Sequence, residues 1–239
     1  MPVHRHKCGF TADVVQREVL ETAPWIQIML MTVPFSDRVC VAGSAGTWLA
    51  EFSIHKSRPD WDPQDIDVFM MVDRAEYDQM CETFGDTLAH TLSLSGSAWK
   101  TTANRPYPHI LNILYCVDWH GSVVTCPAFS LIHMPTMHRH CDVLARFDID
   151  VCKVAVHKFA GFLGIAMNAV VRQHILHRHM HCVIRKNPSS QGFHYPMQKT
   201  LSRISKYVKR GYCFKALQFG PSDSTLKVTD FVGMELARV

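Results

Sequence analysis

Two aspartates, Asp65 and Asp67, stand two residues apart in the segment Asp-Ile-Asp-Val-Phe and are the residues best suited to chemistry. The segment predicts a β-strand, and side chains two residues apart on a strand share one face, about 6–7 Å apart. Two carboxylates this close repel each other unless a proton or a cation lies between them. We therefore expect a divalent metal ion, Mg²⁺ or Mn²⁺, because hard cations prefer oxygen ligands.

A glycine-serine turn precedes the acidic pair. Gly43 and Ser44 follow an apolar run and lead into an amphipathic pattern, which predicts a strand over 38–43 and a helix over about 45–54. Backbone N–H groups at the start of a helix bind phosphate oxygens, and the Ser44 hydroxyl adds one donor. The turn is therefore predicted to bind the phosphates of a nucleoside triphosphate.

A site with two metal ions, which stabilise both the attacking and the leaving oxygen of an in-line displacement, needs a third carboxylate. Asp148 is the candidate, in a segment over 147–156 that predicts another strand. If that strand neighbours the one bearing the acidic pair, the side chains converge across a strand spacing of about 4.8 Å. Asp150 shares the face of Asp148 and is the rival for this role.

These segments resemble the DNA-polymerase-β-like nucleotidyltransferase superfamily. The pattern is closest to that of the small nucleotidyltransferase-like proteins of large DNA viruses and phages. The likeness covers roughly residues 37 to 215. Four segments carry it: Ala42-Gly-Ser44 with Trp48, residues 61–69, Phe147-Asp148, and residues 201–212.

The resemblance implies a set of site residues without identifying the acceptor substrate. The implied catalytic residues and metal ligands are Asp65, Asp67 and Asp148. The implied nucleotide contacts are Gly43, Ser44, Arg203, Lys206 and Arg210. Two features depart from the family pattern: Ala42 stands where a glycine is commoner, and the chain between Ser44 and Asp65 is longer than in the best known polymerases.

The resemblance and the order of elements predict an α/β (α+β) fold with a mixed, antiparallel-leaning sheet flanked by helices. Residues 1–160 are expected to form the catalytic core and 161–239 a small, mostly helical C-terminal portion. Further helices are predicted over 12–21, over 74–92, from a cap at Asn168 to about 178, and over 199–210. The last of these is predicted to turn Leu201, Ile204 and Val208 inward and its basic residues, Arg210 included, outward.

The composition is that of a globular protein, with 47% hydrophobic and 19% charged residues in 239. No apolar run is long enough to span a bilayer, and the first residues lack the apolar core of a signal peptide. We therefore expect an intracellular protein without a membrane partner, cytoplasmic or associated with a virus particle.

Cysteine and histidine usage leaves one other site open. The nine cysteines are scattered and no Cys-x-x-Cys occurs, which argues against a disulfide framework or a ribbon-type zinc site. Histidines are dense in two clusters: His174, His177, His179, His181 with Cys182, and His133, His138, His140 with Cys141. Zinc accepts such ligands, but histidines at alternate residues converge only on a strand. The ordinary interpretation is a histidine-rich composition with partly exposed imidazoles.

Three hypotheses about function follow. The first is metal-dependent transfer of a nucleoside monophosphate from a nucleoside triphosphate to a hydroxyl of an unidentified acceptor, such as a nucleic acid or a protein. The second is a catalytically inactive protein of the same fold that serves as a structural or nucleic-acid-binding component of a larger assembly, for example a virion. A histidine-based zinc-binding module is the third and weaker option.

Overall fold

The computed structural model describes residues 23–94, 99–119, 122–159, 162–185, 197–220 and 234–235. The helix predicted over 12–21 lies outside these residues. The described helices are α1 (Pro24–Thr32), α2 (Ser44–His55), α3 (Arg74–Leu94), α4 (His140–Leu144), α5 (Ala169–Leu176) and α6 (Met197–Lys209). Among the described residues, no helix combines the length and the apolar character needed to cross a bilayer.

The described strands form one large mixed sheet and one small parallel pair. They are β1 (Val39–Ala42), β2 (Asp65–Met70), β3 (Trp99–Tyr107), β4 (Ile110–Trp119), β5 (Ser122–Thr125), β6 (Ala128–His133), β7 (Ala155–Phe159), β8 (Phe162–Ala166), β9 (His179–Arg185), β10 (Cys213–Gly220) and β11 (Met234–Glu235). The large sheet has the order β11-β8-β7-β1-β2-β6-β4-β3, with β5 paired to β4. In the small sheet β9 pairs with β10 in parallel. The predicted mixed, antiparallel-leaning sheet flanked by helices is confirmed, since only β2 and β6 run parallel within the large sheet.

The acidic strand β2 lies in the interior of the large sheet. It pairs antiparallel with β1, where Ala42 is opposite Asp67, and parallel with β6, where Ser130 is opposite Asp67. Ile66 and Val68 are fully buried in the main core, whereas the two aspartates alternate with them and are half-buried. The strand is therefore fixed by its apolar face, and its other face carries the acids.

The C-terminal portion differs from the mostly helical expectation. The described residues of 161–239 hold α5 and α6 but also four strands, and β8 belongs to the large sheet through its antiparallel pairing with β7. The hairpin β7–β8 therefore crosses the predicted boundary at residue 160. Strand β9 was not predicted, although its first residues alternate in burial, with Met180 and Cys182 fully buried between half-buried histidines.

The strand predicted over 147–156 is also wrong in its first half. Asp148 lies in a bend, Ile149 makes an isolated bridge to Cys182, and a 3-10 helix covers Asp150–Cys152 before β7 begins at Ala155. The Asp150 side chain accepts a hydrogen bond from the N–H of Val151 at 2.8 Å. This local bond favours a turn over a strand ladder. Asp148 is therefore on no strand that neighbours β2.

Helix α6 is rotated relative to its predicted orientation. Leu201 and Val208, predicted to point inward, are 56% and 50% exposed, while Tyr207 and Arg210, the latter predicted outward, are 3% and 7% exposed. Ile204, the third residue predicted to point inward, is half-buried and packs against the main core. The apolar periodicity is therefore right for Ile204 and wrong for Leu201 and Val208.

The helix ends at Lys209, one residue before its predicted end, and the predicted cap Gly211 has a φ of 84°, which suits a glycine.

Two buried hydrogen bonds attach the C-terminal portion to α2. The Tyr207 hydroxyl lies 3.3 Å from Thr47 Oγ1, and the Tyr212 hydroxyl donates to Glu51 Oε1 at 2.7 Å. Burial raises the pKa of Glu51, and the bond from Tyr212 acts against that shift. Because α2 begins at Ser44, these contacts set α6 beside the glycine-serine turn.

Candidate functional site

The glycine-serine turn lies against the acidic pair. Gly43 has a φ of 73° and immediately precedes α2, whose first residue is Ser44. A Cβ atom at Gly43 would lie only 3.0 Å from Asp67 Oδ2, too close for most real contacts. Glycine is therefore required both by the backbone conformation and by the approach of the carboxylate.

The two carboxylates differ in their surroundings. Ser44 Oγ donates a hydrogen bond of 3.2 Å to Asp65 Oδ1. Burial raises the pKa of Asp67 to about 7, the charge of Asp65 adds to this shift, and Lys206 and Arg203 act against it. Among the described residues neither aspartate forms an ion pair with a side chain of the protein. The pair is thus a concentration of negative charge that a proton or a bound cation would relieve.

The third predicted carboxylate, Asp148, is paired by the protein itself. Its Oδ2 accepts hydrogen bonds from Thr200 Oγ1 at 3.0 Å and from Arg203 Nη1 at 2.9 Å, both residues of α6. The Asp148 side chain is only 5% exposed and that of Arg203 is 42% exposed. Arg203 therefore pairs with Asp148, and its charge also lowers the pKa of Asp67.

The loop before β2 is held from two sides. Trp48 Nε1 donates to the carbonyl oxygen of Trp61 at 2.6 Å, and the guanidinium of Arg210 lies over the Trp61 ring at 3.7 Å. Arg210 also lies 4.9 Å from the centre of the Tyr207 ring. Arg210, predicted as a phosphate contact on an exposed face, is instead 93% buried by this stacking, since only 7% of it is exposed. Arg210 therefore packs against the loop that leads into β2, the strand of Asp65 and Asp67.

Lys206 remains the predicted cation closest in role to a phosphate contact. It is half-buried, and its positive charge acts on the Asp67 carboxylate. Arg203 has the same influence but is already engaged with Asp148. Of the three predicted basic residues, Arg203 and Lys206 therefore act electrostatically on Asp67. Arg210 instead packs against Trp61 in the loop before β2.

Asp150, the predicted rival of Asp148, belongs to a different cluster. Its Oδ1 accepts hydrogen bonds from the N–H groups of Val151 and His181, the latter at 2.9 Å, and its Oδ2 contacts His174 Nδ1. The His174 and His181 rings are 4.4 Å apart between centroids. The sequence predicted one cluster containing both histidines but not their carboxylate partner. The available signal was the His-x-His spacing that runs from His177 into the first residues of β9.

The described residues contain one group of three whose potential metal-ligand atoms all lie within 4.8 Å of one another: Asp150, His174 and His181. The predicted ligands Asp65, Asp67 and Asp148 do not form such a group. Gly43, Ser44, Asp65 and Asp67 are brought together as predicted, whereas Asp148 is hydrogen-bonded to Thr200 and Arg203 instead.

The cysteines fit the sequence prediction as far as they are described. Eight of them are free thiols, most of them buried. Burial raises the pKa of Cys152 and of Cys182 to about 12, so both remain protonated at neutral pH. These residues are small core side chains and supply neither a disulfide nor a thiolate.

Comparison of the chain with protein-family models, with curated proteins and with solved structures gave no match. The resemblance to nucleotidyltransferases therefore remains a prediction from the motifs.

Proposed function

We propose that the chain binds a nucleoside triphosphate with Mg²⁺ or Mn²⁺ at the glycine-serine turn and the acidic pair. On this proposal the hydroxyl of an acceptor, a nucleic acid or a protein, loses its proton and attacks the α-phosphorus of the triphosphate, and the bond to the leaving pyrophosphate breaks. The observation that carries the proposal is the approach of Gly43 to Asp67, with Ser44 bonded to Asp65 and no protein cation paired to either acid among the described residues.

The start of α2 suits a phosphate. The first N–H groups of a helix have no partner within the helix, and the first turn of α2 contains no acidic residue to compete for them. The helix dipole adds a partial positive charge at the same end. A triphosphate held there would lie beside Asp65 and Asp67, where Mg²⁺ would bridge carboxylate and phosphate oxygens.

Burial and mutual repulsion favour the binding of a cation between the carboxylates of the acidic pair. These two effects make the doubly charged pair costly, and the raised pKa of Asp67 is the measure of that cost. A divalent ion replaces the proton and removes the repulsion. The charge of Lys206 already acts on Asp67, which supports its proposed role as a contact of the triphosphate.

One observation favours a second candidate function. Asp148 is bonded to Arg203 and Thr200, so it would have to exchange Arg203 for a metal ion before it could help to activate a hydroxyl. A chain that keeps this ion pair would bind nucleotide without turning it over. This arrangement supports a catalytically inactive protein of the same fold that acts as a structural or nucleic-acid-binding component, in a virion or another assembly.

The decisive experiment measures the melting temperature of the protein with each of the four nucleoside triphosphates, with and without Mg²⁺ or Mn²⁺. A ligand that binds the folded state stabilises it by mass action. We expect a metal-dependent increase for the wild type. The Asp67→Asn and Asp65→Ala variants should lose it, while Asp60→Asn, an exposed aspartate in the preceding loop, serves as the matched control and should keep it.

Transfer of label from an α-labelled triphosphate then separates the two candidates. Turnover by the wild type that falls by more than about 100-fold in Asp67→Asn supports the enzyme, since loss of a metal ligand costs at least as much as loss of its supporting partners. Metal-dependent binding without transfer supports the inactive alternative. Full turnover by Asp67→Asn, or no binding of any triphosphate by the wild type, would contradict the proposal.

A further inference from the structure

The second Asp-Ile-Asp segment of the chain, at 148–150, brings a cluster with a different chemistry into view. Asp150 begins the 3-10 helix, His174 lies on α5 and His181 lies on β9. Their potential ligand atoms lie within 4.8 Å of one another. Three elements that are distant in sequence therefore present one carboxylate and two imidazoles to a common point.

The carboxylate of Asp150 is fixed in orientation by the backbone. Oδ1 accepts the N–H groups of Val151 at 2.8 Å and His181 at 2.9 Å, which leaves Oδ2 directed at the histidines. Such outer bonds to a ligating carboxylate are typical of metal sites, where they hold the ligand in place. The site needs little ordering on binding, because its acid already points the right way.

A simple ion pair accounts for only part of this arrangement. One carboxylate neutralises one imidazolium, but His174 and His181 have ring centroids 4.4 Å apart, and His177 and His179 lie nearby with ring centroids 6.0 Å apart. Protonating several of these rings would place like charges together. A metal ion is compatible with all of them, because it binds the neutral imidazole.

The cluster is enclosed yet open to a small ion. The side chains of His174 and Asp150 are 17% and 11% exposed. A zinc ion holds imidazole nitrogen at about 2.0–2.1 Å and carboxylate oxygen at about 2.0–2.2 Å. Because Asp150 Oδ2 and His174 Nδ1 are in direct contact, these two atoms would have to move apart to admit the ion between them.

We propose that Asp150, His174 and His181 bind one divalent transition-metal ion, Zn²⁺, at a site separate from the triphosphate site. Imidazole suits Zn²⁺ and related ions, whereas Mg²⁺ prefers oxygen ligands alone. On the two proposals together, the chain has two metal sites of different ligand type. The segment at 65–67 supplies both of its acids to the triphosphate site, and the segment at 148–150 supplies Asp150 to the zinc site.

The ion would join the 3-10 helix, α5 and β9, and so hold the segment that carries Asp148. That segment is already attached to β9 by the bridge between Ile149 and Cys182 and by the N–H of Val183, which donates to the Asp148 carbonyl at 2.7 Å. Cys182 is adjacent to His181 but fully buried, and it contributes no ligand. The ion would therefore stabilise the packing of the 3-10 helix, α5 and β9 against one another.

The test starts from the full chain stripped of metal with a chelator and titrated with Zn²⁺ in competition with a chromophoric chelator. The wild type should bind Zn²⁺ at this site. His174→Ala and His181→Ala should each weaken that binding by more than about 100-fold, because loss of an outer partner alone costs 10–100-fold. His177 is exposed and is not one of the three proposed ligands. His177→Ala is therefore the matched control and should bind as the wild type does.

Co²⁺ in place of Zn²⁺ supplies a second measurement that reports on the site itself. Its visible d–d absorption should appear in the wild type and the His177→Ala protein and vanish in His181→Ala. If an alanine variant fails to fold by circular dichroism, His174→Gln replaces it as the variant tested. Wild-type protein that binds no Zn²⁺, or equal affinity and absorption in the wild type and both ligand variants, would overturn the proposal.

The outcome is independent of the proposed nucleotide site. Asp67→Asn should leave the Zn²⁺ affinity unchanged, whereas His181→Ala should retain the triphosphate-dependent increase in melting temperature. The two proposals therefore fail separately.

Discussion

The tripeptide Asp-Ile-Asp occurs twice, at 65–67 and at 148–150, and the two copies have different surroundings. In both the isoleucine is fully buried, with 0% exposure for Ile66 and for Ile149. The apolar centre of each copy therefore plays the same role. What differs is the backbone around it.

In the first copy the backbone is a β-strand, so both carboxylates share one face and no ion pair to either exists among the described residues. In the second copy the backbone leaves a bend and enters a 3-10 helix. Asp148 is then directed to Arg203 and Asp150 to His174. The first tripeptide places its two carboxylates side by side, whereas each carboxylate of the second contacts a different side chain.

The chemistry of two acids in an Asp-Ile-Asp segment therefore depends on the backbone conformation. In a strand the two carboxylates lie on one face, repel each other and favour binding of a cation. A turn satisfies each acid with its own partner, from the protein for Asp148 and, on our proposal, from a metal ion for Asp150. The following predictions test this contrast, beginning with the largest effect.

Replacing the buried isoleucine should cost the two copies a similar amount. Ile66→Ala and Ile149→Ala should each lower the free energy of unfolding by about 2–5 kcal/mol, the range for removing a buried aliphatic side chain. Chemical denaturation monitored by circular dichroism measures this. Val123→Ala, at a residue that is 77% exposed, is the control and should change little. An unchanged stability of Ile149→Ala would mean that the second copy is not part of the core.

Removing the cation of the second copy should be the next largest effect. Arg203→Leu leaves Asp148 buried with only Thr200 as a partner, and we expect a loss of about 2 kcal/mol, less than for a fully buried pair because Arg203 is 42% exposed. Denaturant unfolding at neutral pH is the measurement. The matched control is Arg58→Leu, which breaks an exposed ion pair with Asp62 and should cost less than about 1 kcal/mol. Equal losses in both variants would remove the distinction we draw.

Neutralising the first copy should have the opposite sign. Because the folded-state pKa of Asp67 is about 7 and its ordinary value is 3.8, the folded chain binds this proton more tightly than the unfolded chain. The contribution of Asp67 to stability is therefore present at low pH and is lost as pH rises through about 4 to 7.

Asp67→Asn should accordingly stabilise the metal-free protein by about 1–2 kcal/mol at pH 8 and by almost nothing at pH 4. The gain is smaller than the roughly 4 kcal/mol that a rise from 3.8 to about 7 represents, because the asparagine amide is also polar and loses hydration on burial. Unfolding at both pH values, with Asp60→Asn alongside as an exposed aspartate, checks the expectation. A destabilised variant at pH 8 would show that the Asp67 charge is compensated within the protein.

The smallest effect concerns the cation beside the acidic pair. Lys206→Met removes a charge that lowers the pKa of Asp67, so this pKa should rise further, by less than about one unit. Carboxyl carbon chemical shifts followed by NMR during a pH titration report it. Lys209→Met, at an exposed residue of the same helix, should leave the pKa of Asp67 unchanged. A pKa that does not move in either variant would place Lys206 outside the electrostatic environment of the pair.

Much of the element order could be predicted from the sequence. The helices at 44–55 and 74–94, the strand at Asp65, the cap at Asn168 and the end of a helix at Gly211 all follow local rules of periodicity and capping. The segment at 147–156 could not be predicted in the same way. Its apolar run resembles a strand, but side-chain bonds from Asp150 to nearby N–H groups favour a 3-10 turn.

The orientation of α6 failed for a related reason. Apolar periodicity assumes that the buried face of a helix is apolar, and it turned Leu201 and Val208 inward. The buried face carries Thr200 and Tyr207, whose hydroxyls lie against a carboxylate and a threonine hydroxyl, while Ile204 and the Tyr207 ring pack against the core. Apolar periodicity cannot locate a buried face that is partly polar.

The meeting of Gly43, Ser44, Asp65 and Asp67 follows from local sequence, since a strand, a tight turn and a second strand form a unit whose geometry is set by alternation and by the freedom of glycine. The partners of Asp148 and Asp150 do not follow from local sequence. Those partners, Arg203, His174 and His181, come from distant elements, and their approach depends on how α5, α6 and β9 pack. Local stereochemistry is encoded in neighbouring residues, whereas the pairing of charges across a fold depends on the packing of the whole chain.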